Sequence, residues 1–164
     1  MSEQESMSLK DFFERFGTEE KCRGYLHELR WLDGFSCPKC GIADKPFNIS
    51  CRNLFQCKQC SRQTSVTAGT IFDKSRTPLS KWFLAIYLVS CSKRRCSALR
   101  LMRELGISYG TAWAMSHKIR IAVNERDGSI QQGLPFPKAI AYAAAARPVV
   151  WDDLVEQSKR KKLR

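Results

Sequence analysis

Two closely spaced pairs of cysteines constrain the fold of this chain more than any other feature. The pairs are CPKC at residues 37–40 and CKQC at residues 57–60, and sixteen residues separate them. Two residues between cysteines let one tight turn direct both sulfurs at one point, so two such turns supply four thiolates to a tetrahedral zinc ion. Four thiolates leave no ligand position open. The spacing therefore predicts one structural Zn²⁺, bound by Cys37, Cys40, Cys57 and Cys60.

The residues around the second pair predict a small sheet beneath the metal. Residues 47–56 follow the Lys45-Pro46 turn and have the length and apolar content of a short hairpin, and Thr64 to Thr70 is a candidate third strand. We interpret residues 37–75 as a zinc ribbon with too few large apolar residues to fold without its metal. A redox dithiol or a disulfide framework is the alternative, although two such pairs at this spacing favour the metal.

The remaining cysteines are expected to be packing residues. They are Cys22, Cys51, Cys91 and Cys96. Cys51 is the rival zinc ligand, but its distance from Cys57 fits no two-residue turn. His27 precedes the first pair by ten residues, and we interpret it as a surface or packing histidine.

The cellular location is predicted from the N-terminus and from the apolar content. The acidic start MSEQESMSLKDFFERF does not resemble a signal peptide, and no run approaches the roughly 18 apolar residues of a membrane span. We therefore expect a cytoplasmic, nucleoid-associated protein with reduced thiols and no membrane partner.

Positive charge is concentrated just after the ribbon. The chain has a net charge of +12, and residues 76–120 hold nine basic side chains and one acidic side chain. Such a concentration on one module is typical of a nucleic-acid-binding surface. A merely solvated surface is the alternative.

Helical periodicity flanks the ribbon on both sides. Residues 1–36 are predicted to form N-terminal helices, the first from about Ser8 to Phe16 with Leu9, Phe12, Phe13 and Phe16 on one face, and the second capped by Thr18. After the ribbon, Thr77-Pro78 predicts a helix start with threonine as the cap. A buried stripe follows at Leu79, Trp82, Phe83, Ile86 and Val89.

Residues 76–125 are predicted to form a helix-turn-helix unit. Ser97 can cap a helix from Ala98 to Leu105 that ends at Gly106, and Ser108 can cap another from Tyr109 to about Val123. Small and apolar residues occur at the offsets that let two short helices cross at a steep angle. The inward positions of the last helix are expected at Ala112, Met115, Ile119 and Ala122, and Trp113 is also expected in the core.

The exposed positions of the last helix are the candidates for DNA contact. The N-terminal half of this helix lies in the major groove in helix-turn-helix proteins. This predicts base or backbone contacts from Ser108, Tyr109, Gly110, Thr111, His117 and Lys118. Nearby cations are expected to meet phosphates, which fixes position without reading sequence. They are Lys93, Arg94, Arg95, Arg100 and Arg120.

Several runs together resemble one family. RWLDGFSCPKCG, CKQC, SVTAGTIF, PLSKWFLAIYLV and LRLMRELGISYGTAWAMSHKIR are similar, in order, to the N-terminal half of bacterial insertion-sequence transposases. The resemblance covers about residues 9–130. It implies that Cys37, Cys40, Cys57 and Cys60 bind zinc, that residues 108–120 form a recognition helix, and that the DNA partner is the end of a mobile element. Self-association, or association with a full-length transposase, is also expected.

The resemblance stops at about Gly133. The family continues into an RNase H-like catalytic domain, whereas residues 126–164 are predicted to be a divergent, partly disordered tail. Truncation, a frameshift or replacement by an unrelated segment would produce this difference. Asp152, Asp153 and Glu156 lie too close together in sequence to supply three separated metal ligands. We therefore expect no catalytic activity.

These observations predict a small α+β protein. A zinc ribbon is flanked by helices and followed by a three-helix helix-turn-helix unit and a poorly ordered tail. The predicted function is DNA binding, as the recognition part of a transposase whose catalytic domain is missing. Two alternatives stay open: a stand-alone zinc-ribbon DNA-binding regulator, or a transposase completed by a frameshift or in trans.

Overall fold

The computed structural model describes residues 7–91, 96–127 and 136–145. These residues form six helices and one three-stranded sheet. In chain order the elements are α1 (Leu9–Phe16), α2 (Glu19–Arg30), β1 (Phe47–Ile49), β2 (Leu54–Gln56), β3 (Gln63–Ser65), α3 (Leu79–Cys91), α4 (Ala98–Leu105), α5 (Tyr109–Asp127) and α6 (Phe136–Ala145). The prediction of a small mixed protein with a ribbon flanked by helices is confirmed.

Short polar side chains begin the first helices where the sequence predicted. The Ser8 hydroxyl accepts a bond from the Asp11 N–H (3.2 Å), and the Asp11 carboxylate accepts one from the Ser8 N–H (3.3 Å), which forms a capping box. Thr18 and Ser97 accept from the third amide of α2 and α4 respectively. Gly106 then ends α4 in the left-handed conformation, at φ 58°.

The start of α3 differs from the prediction. Thr77 was expected to cap this helix, but the first amides of α3 bond to a side chain of α2 instead. The Glu19 carboxylate accepts from the N–H of Leu79 (3.0 Å) and from the N–H of Ser80 (3.1 Å). A carboxylate is a stronger hydrogen-bond acceptor than a hydroxyl, and its negative charge interacts favourably with the positive end of the helix dipole. The N-terminus of α2 is therefore joined to the N-terminus of α3 through the side chain of Glu19.

The sheet of the ribbon is antiparallel, with the strand order β1-β2-β3. In this register Phe55 of β2 pairs with Asn48 of β1 and with Thr64 of β3. Asn53 lies in the left-handed region at φ 52° just before β2, a conformation that asparagine tolerates better than most residues. The predicted hairpin over residues 47–56 is confirmed.

The third strand is shorter than predicted. It was expected to run to Thr70, but it ends at Ser65, and hydrogen-bonded turns follow. The Arg30 guanidinium of α2 donates to the carbonyls of Ser65, Val66 (2.9 Å) and Ala68. These carbonyls therefore bond to an arginine instead of continuing a β ladder.

An aromatic cluster from three helices, α1, α3 and α6, forms the centre of the helical body. Phe12 and Phe16 of α1 meet Phe83 of α3 and Phe136 of α6, with ring centroids 5.2–6.3 Å apart in the four contacts Phe12–Phe136, Phe16–Phe83, Phe16–Phe136 and Phe83–Phe136. Tyr87 also contacts Phe136, at 5.9 Å. Apolar side chains of the ribbon, including Val66 and Phe72, belong to the same continuous buried cluster.

The divergent tail contains a packed helix at residues 136–145. These residues form α6, which contacts α2, α3 and α5. Phe136 is 2% exposed, and Ala139, Ile140 and Ala143 are also buried. The alanine-rich composition allowed a helix, but the partner that buries it lies far away in sequence. The tail residues at 128–135 and 146–164 lie outside the described residues.

The apolar face predicted for α1 is only half buried. Phe12 and Phe16 are buried, whereas Leu9 and Phe13 remain 50% and 51% exposed. The helix is eight residues long, and the elements packed against it cover the stripe of Phe12 and Phe16. Phe13 contacts Phe12 edge-on at 5.5 Å but stays largely in solvent.

The inward face of α5 is confirmed. All four positions predicted to face the core are buried: Ala112, Met115, Ile119 and Ala122. The helix continues to Asp127, beyond the expected end near Val123. Within the described part of the chain, no helix combines the length and the apolar character that a membrane crossing requires.

Candidate zinc centre and nucleic-acid interface

Two matching turns carry the four cysteines. In the first, the N–H of Gly41 donates to the Cys37 carbonyl (2.9 Å), and in the second the N–H of Ser61 donates to the Cys57 carbonyl (3.0 Å). The residue after each pair lies in the left-handed region, Gly41 at φ 71° and Ser61 at φ 54°. The two turns therefore have the same construction, and each directs two sulfurs to the same side.

The four sulfurs lie at the spacing of a tetrahedral metal site. The Sγ atoms of Cys37 and Cys60 are 3.5 Å apart, those of Cys40 and Cys57 are 3.6 Å apart, and all four lie within 4.8 Å of one another. Zinc–sulfur bonds of about 2.3 Å place tetrahedral sulfurs ~3.8 Å apart. Disulfide sulfurs lie only about 2.05 Å apart. The geometry therefore fits one closed Zn²⁺ site and excludes a disulfide between these pairs in this structure.

The electrostatics of the cluster also fit a cation. Backbone N–H groups of Cys40 and Lys39 donate to the Cys37 sulfur and lower its pKa to about 6. The Ile42 N–H lowers the pKa of Cys40, but burial and the neighbouring thiols outweigh it and raise that pKa to about 12. One thiolate thus disfavours the next. A divalent cation removes this repulsion, so the donor set suits Zn²⁺.

Three further cysteines, Cys22, Cys51 and Cys96, lie outside the cluster. Cys22 and Cys96 are buried, as predicted, and the Cys22 Sγ donates to the Phe16 carbonyl at 3.3 Å. Cys51 is exposed, so its prediction as a packing residue is wrong. It lies on the short helical turn between β1 and β2, which leaves it on the surface. The side chain of Cys91 lies outside the part that the structure describes.

His27 is a packing residue. This agrees with one of the two interpretations, a surface or a packing histidine. Its ring lies 4.9 Å from the Trp31 ring and 5.0 Å from the Phe55 ring. Among the described residues, the cysteine cluster is the only group of three or more His, Cys, Asp or Glu side chains close enough to share a metal, and His27 is not part of it.

The first turn of α5 presents an exposed polar surface. Ser108 accepts from the Thr111 N–H (3.3 Å), which caps the helix. Tyr109 is 52% exposed and Gly110 is exposed, whereas Thr111 is half-buried. These four predicted contact residues therefore lie together at the N-terminal end of the helix.

The later contact residues of α5 are more enclosed. Trp113 is half-buried instead of lying in the core, and it stacks on His117 with ring centroids 4.9 Å apart and planes at 14°. Lys118 is half-buried; burial lowers its pKa, and the nearby Asp73 carboxylate counters part of this effect. The side chains of His117 and Lys118 are thus partly exposed and partly packed against other residues of the protein.

The predicted phosphate-binding cations are in different environments. Arg100 on α4 is exposed and so keeps the expected accessibility. Arg120 is half-buried, and its Nη2 donates to the Cys96 carbonyl at 2.9 Å, so it helps hold the start of α4 against α5. The basic run formed by Lys93, Arg94 and Arg95 lies outside the described residues, and their role stays a prediction.

A cleft lies beside the first turns of α5. Its volume is about 470 Å³, and its walls include Ser108, Gly110, Thr111 and Lys118 together with residues 73–77. The segment 73–77 contains Lys74 and Arg76, which the sequence reasoning did not select. In the sequence, Lys74 and Arg76 could have been noticed as two cations that flank Ser75 shortly before a helix start. Their nearness to α5, however, depends on the tertiary structure.

Two sequence similarities connect this chain with mobile elements. Residues 17–63 match the transposase zinc-ribbon domain family. The chain is also 33% identical over 101 residues to an uncharacterized protein in the transposable element ISH50 of Halobacterium salinarum. That match covers 60% of this chain and 33% of the relative, so the chain spans about a third of the relative's length. No solved structure matches significantly.

These matches agree with the geometry of the cysteine cluster. The matched domain contains both cysteine pairs and the first two strands. The relative is archaeal, so the bacterial origin implied by the resemblance stays a prediction. Over residues 17–63 this chain is therefore similar to transposase zinc-ribbon domains, and its four cysteines form a site for one structural Zn²⁺.

Proposed function

We propose that this protein binds double-stranded DNA at the ends of a mobile element, with α4 and α5 acting as a helix-turn-helix. The observation that carries the proposal is the division of α5 into two faces. Ala112 and Met115 are buried against the body, while Tyr109 and Gly110 at the start of the helix are exposed. An exposed N-terminal turn on a firmly packed helix is the arrangement that a recognition helix needs.

The connection between α4 and α5 supports this assignment. Gly106 turns the chain in the left-handed conformation, and the Ile107 N–H donates to the Met102 carbonyl at 3.3 Å. Leu101 and Leu105 of α4 are buried in the same core as the inward face of α5. The short turn fixes one helix against the other, so that α4 can brace α5 on a duplex.

The zinc ribbon has a structural role in this proposal. The bound metal would hold the two turns together, and the ribbon is tied to α2 by Arg30 and, through Arg23 and Asn53, by a second bond of 3.1 Å. The metal therefore stabilises the body that carries α5 and takes no part in strand chemistry.

We also propose that the described part of the chain contributes DNA recognition. Strand cleavage, where it occurs, is performed by another segment or polypeptide. The same recognition surface would serve a stand-alone regulator that competes with a full-length transposase. Asp152, Asp153 and Glu156 lie outside the described residues. Incubation of the protein with supercoiled element DNA and Mg²⁺ tests this point: nicking that disappears in Asp152→Asn would contradict the proposal.

The main test is a titration of zinc-loaded protein against the element ends and against a scrambled duplex, at two salt concentrations. We expect tighter binding to the ends. We also expect affinity to fall with salt at a log–log slope of about −0.9 for each phosphate neutralised. Equal affinity for both duplexes would contradict recognition of the ends, and an absence of salt-dependent binding would contradict DNA binding altogether.

A further inference from the structure

The cleft beside α5 has a basic wall that belongs to a separate segment. We call residues 73–77, which lie between β3 and α3, the linker. The linker lines one side of the cleft, and Ser108, Gly110, Thr111 and Lys118 line the α5 side. The volume of about 470 Å³ places the linker and the exposed turn of α5 around one shared space.

Three cations and one carboxylate line this cleft. Lys74 and Arg76 are exposed, Lys118 is half-buried, and Asp73 is the acidic residue among the lining side chains. Asp73 accepts a bond from the Gly69 N–H at 3.3 Å, so part of its acceptor capacity is used within its own turn. Among the described residues, no carboxylate lies within ion-pair distance of Lys74 or Arg76. The cleft therefore has a net positive charge.

The linker is held in place before any ligand binds. The Ser75 hydroxyl accepts from the Trp82 indole N–H (2.9 Å) and from the Thr77 N–H (3.2 Å). Phe72, just before the linker, packs edge-on against the Trp82 ring with centroids 5.4 Å apart. Cations on a fixed backbone lose less conformational freedom on binding than cations on a mobile loop.

Gly110 leaves the backbone of α5 accessible at the cleft. A Cβ built on this residue would meet no atom within 4 Å, and its φ is an ordinary negative one. Glycine destabilises a helix relative to alanine, and nothing in the described structure requires it here. A glycine facing open space at a cleft suits the close approach of a ligand to the backbone.

We propose that this cleft binds backbone phosphates of the DNA duplex, with Lys74, Arg76 and Lys118 as the cations and Gly110 as the point of closest approach. The inference rests on the proposed function and adds the linker as a second DNA-binding element. The duplex would be held between the linker and α5. Because phosphates carry no sequence information, the linker would add affinity to every sequence alike.

The first experiment compares two double variants of equal charge loss. Lys74→Gln/Arg76→Gln removes the linker cations, and Lys10→Gln/Arg15→Gln removes two exposed cations of α1 that do not line the cleft. Affinity for the element ends and for a scrambled duplex is measured over a range of salt concentrations. The linker variant is expected to lower the magnitude of the salt slope by about 1.8 on both duplexes, since each lost phosphate contact is worth ~0.9. The control is expected to change the slope by much less.

The second experiment separates binding from folding. Gly110→Ala is expected to raise the Tm by about 2–4 °C, because alanine favours the helix and meets no clash. The same variant is expected to weaken DNA binding on the order of tenfold, because the added methyl group keeps a phosphate from approaching the helix backbone and so weakens one charge-assisted contact. Unchanged affinity in Gly110→Ala would overturn the close approach.

The outcomes also distinguish this inference from the proposed function. A linker variant whose slope matches that of the α1 control, in a protein that still binds DNA, would overturn the linker site alone. Wild-type protein that shows no salt-dependent binding would overturn the proposed function, and the linker site with it.

Discussion

Arg30 is predicted to be the side chain that most strongly joins the ribbon to the helices. It donates from one guanidinium nitrogen to three carbonyls after β3, and burial lowers its pKa. A hydrogen bond from a charged donor contributes about 1.5–3 kcal/mol net. Because the three bonds share one nitrogen, they do not count as three independent bonds. We therefore expect Arg30→Met, which keeps the apolar stem, to lower the free energy of unfolding by about 2–4 kcal/mol.

Arg23 provides a matched control on the same helix. It also reaches the ribbon, through Asn53 at 3.1 Å, and pairs with Glu19 at 3.7 Å, but this pair is more than a quarter exposed on both sides. Arg23→Met removes the same charge and should cost less than about 1 kcal/mol. Urea unfolding of the zinc-saturated proteins gives both values, provided that the denaturant slope stays constant. Equal losses in the two variants would refute the role assigned to the buried guanidinium.

Three further predictions concern the metal, the core and pH. Cys57→Ser should lose the metal and the ordered ribbon, and one tightly bound zinc per chain in this variant would contradict the four-thiolate site. Phe136→Ala should cost about 3–5 kcal/mol, because the ring is 2% exposed among four other rings; a loss below about 1 kcal/mol would show that α6 is not part of the core. Burial raises the pKa of Cys22 from 9.0 to about 12, so the native state favours the neutral thiol. The stability from that thiol is complete below pH 9 and is lost as the pH rises from 9 towards 12; chemical denaturation should therefore show a steeper alkaline decline in wild type than in Cys22→Ala.

Features fixed by local chemistry could be predicted from the sequence. The spacing of the cysteine pairs predicted the metal site because two residues between cysteines define one turn. Ser8, Ser97 and Gly106 marked helix ends correctly because capping depends on neighbours three or four residues away. The buried face of α5 followed from its periodicity in the same way.

Features fixed by distant residues could not be predicted. The cap of α3 comes from Glu19, sixty residues before Leu79 in the chain, and the carbonyls where β3 ends bond to Arg30. The burial of α6 depends on the aromatic cluster around Phe136. A short alanine-rich segment alone does not predict that burial. The cleft between the linker and α5 was missed for the same reason, since neither segment identifies the other in sequence.

The most direct test of DNA recognition by α5 is the ratio of affinities for the element ends and for a scrambled duplex. Tyr109→Ala removes a predicted base contact that is 52% exposed, and Arg100→Ala removes an exposed predicted phosphate contact. We expect Tyr109→Ala to lower this ratio, and Arg100→Ala to weaken both duplexes while leaving the ratio unchanged. An unchanged ratio in Tyr109→Ala, with both affinities reduced as in Arg100→Ala, would contradict recognition of the element ends by this helix.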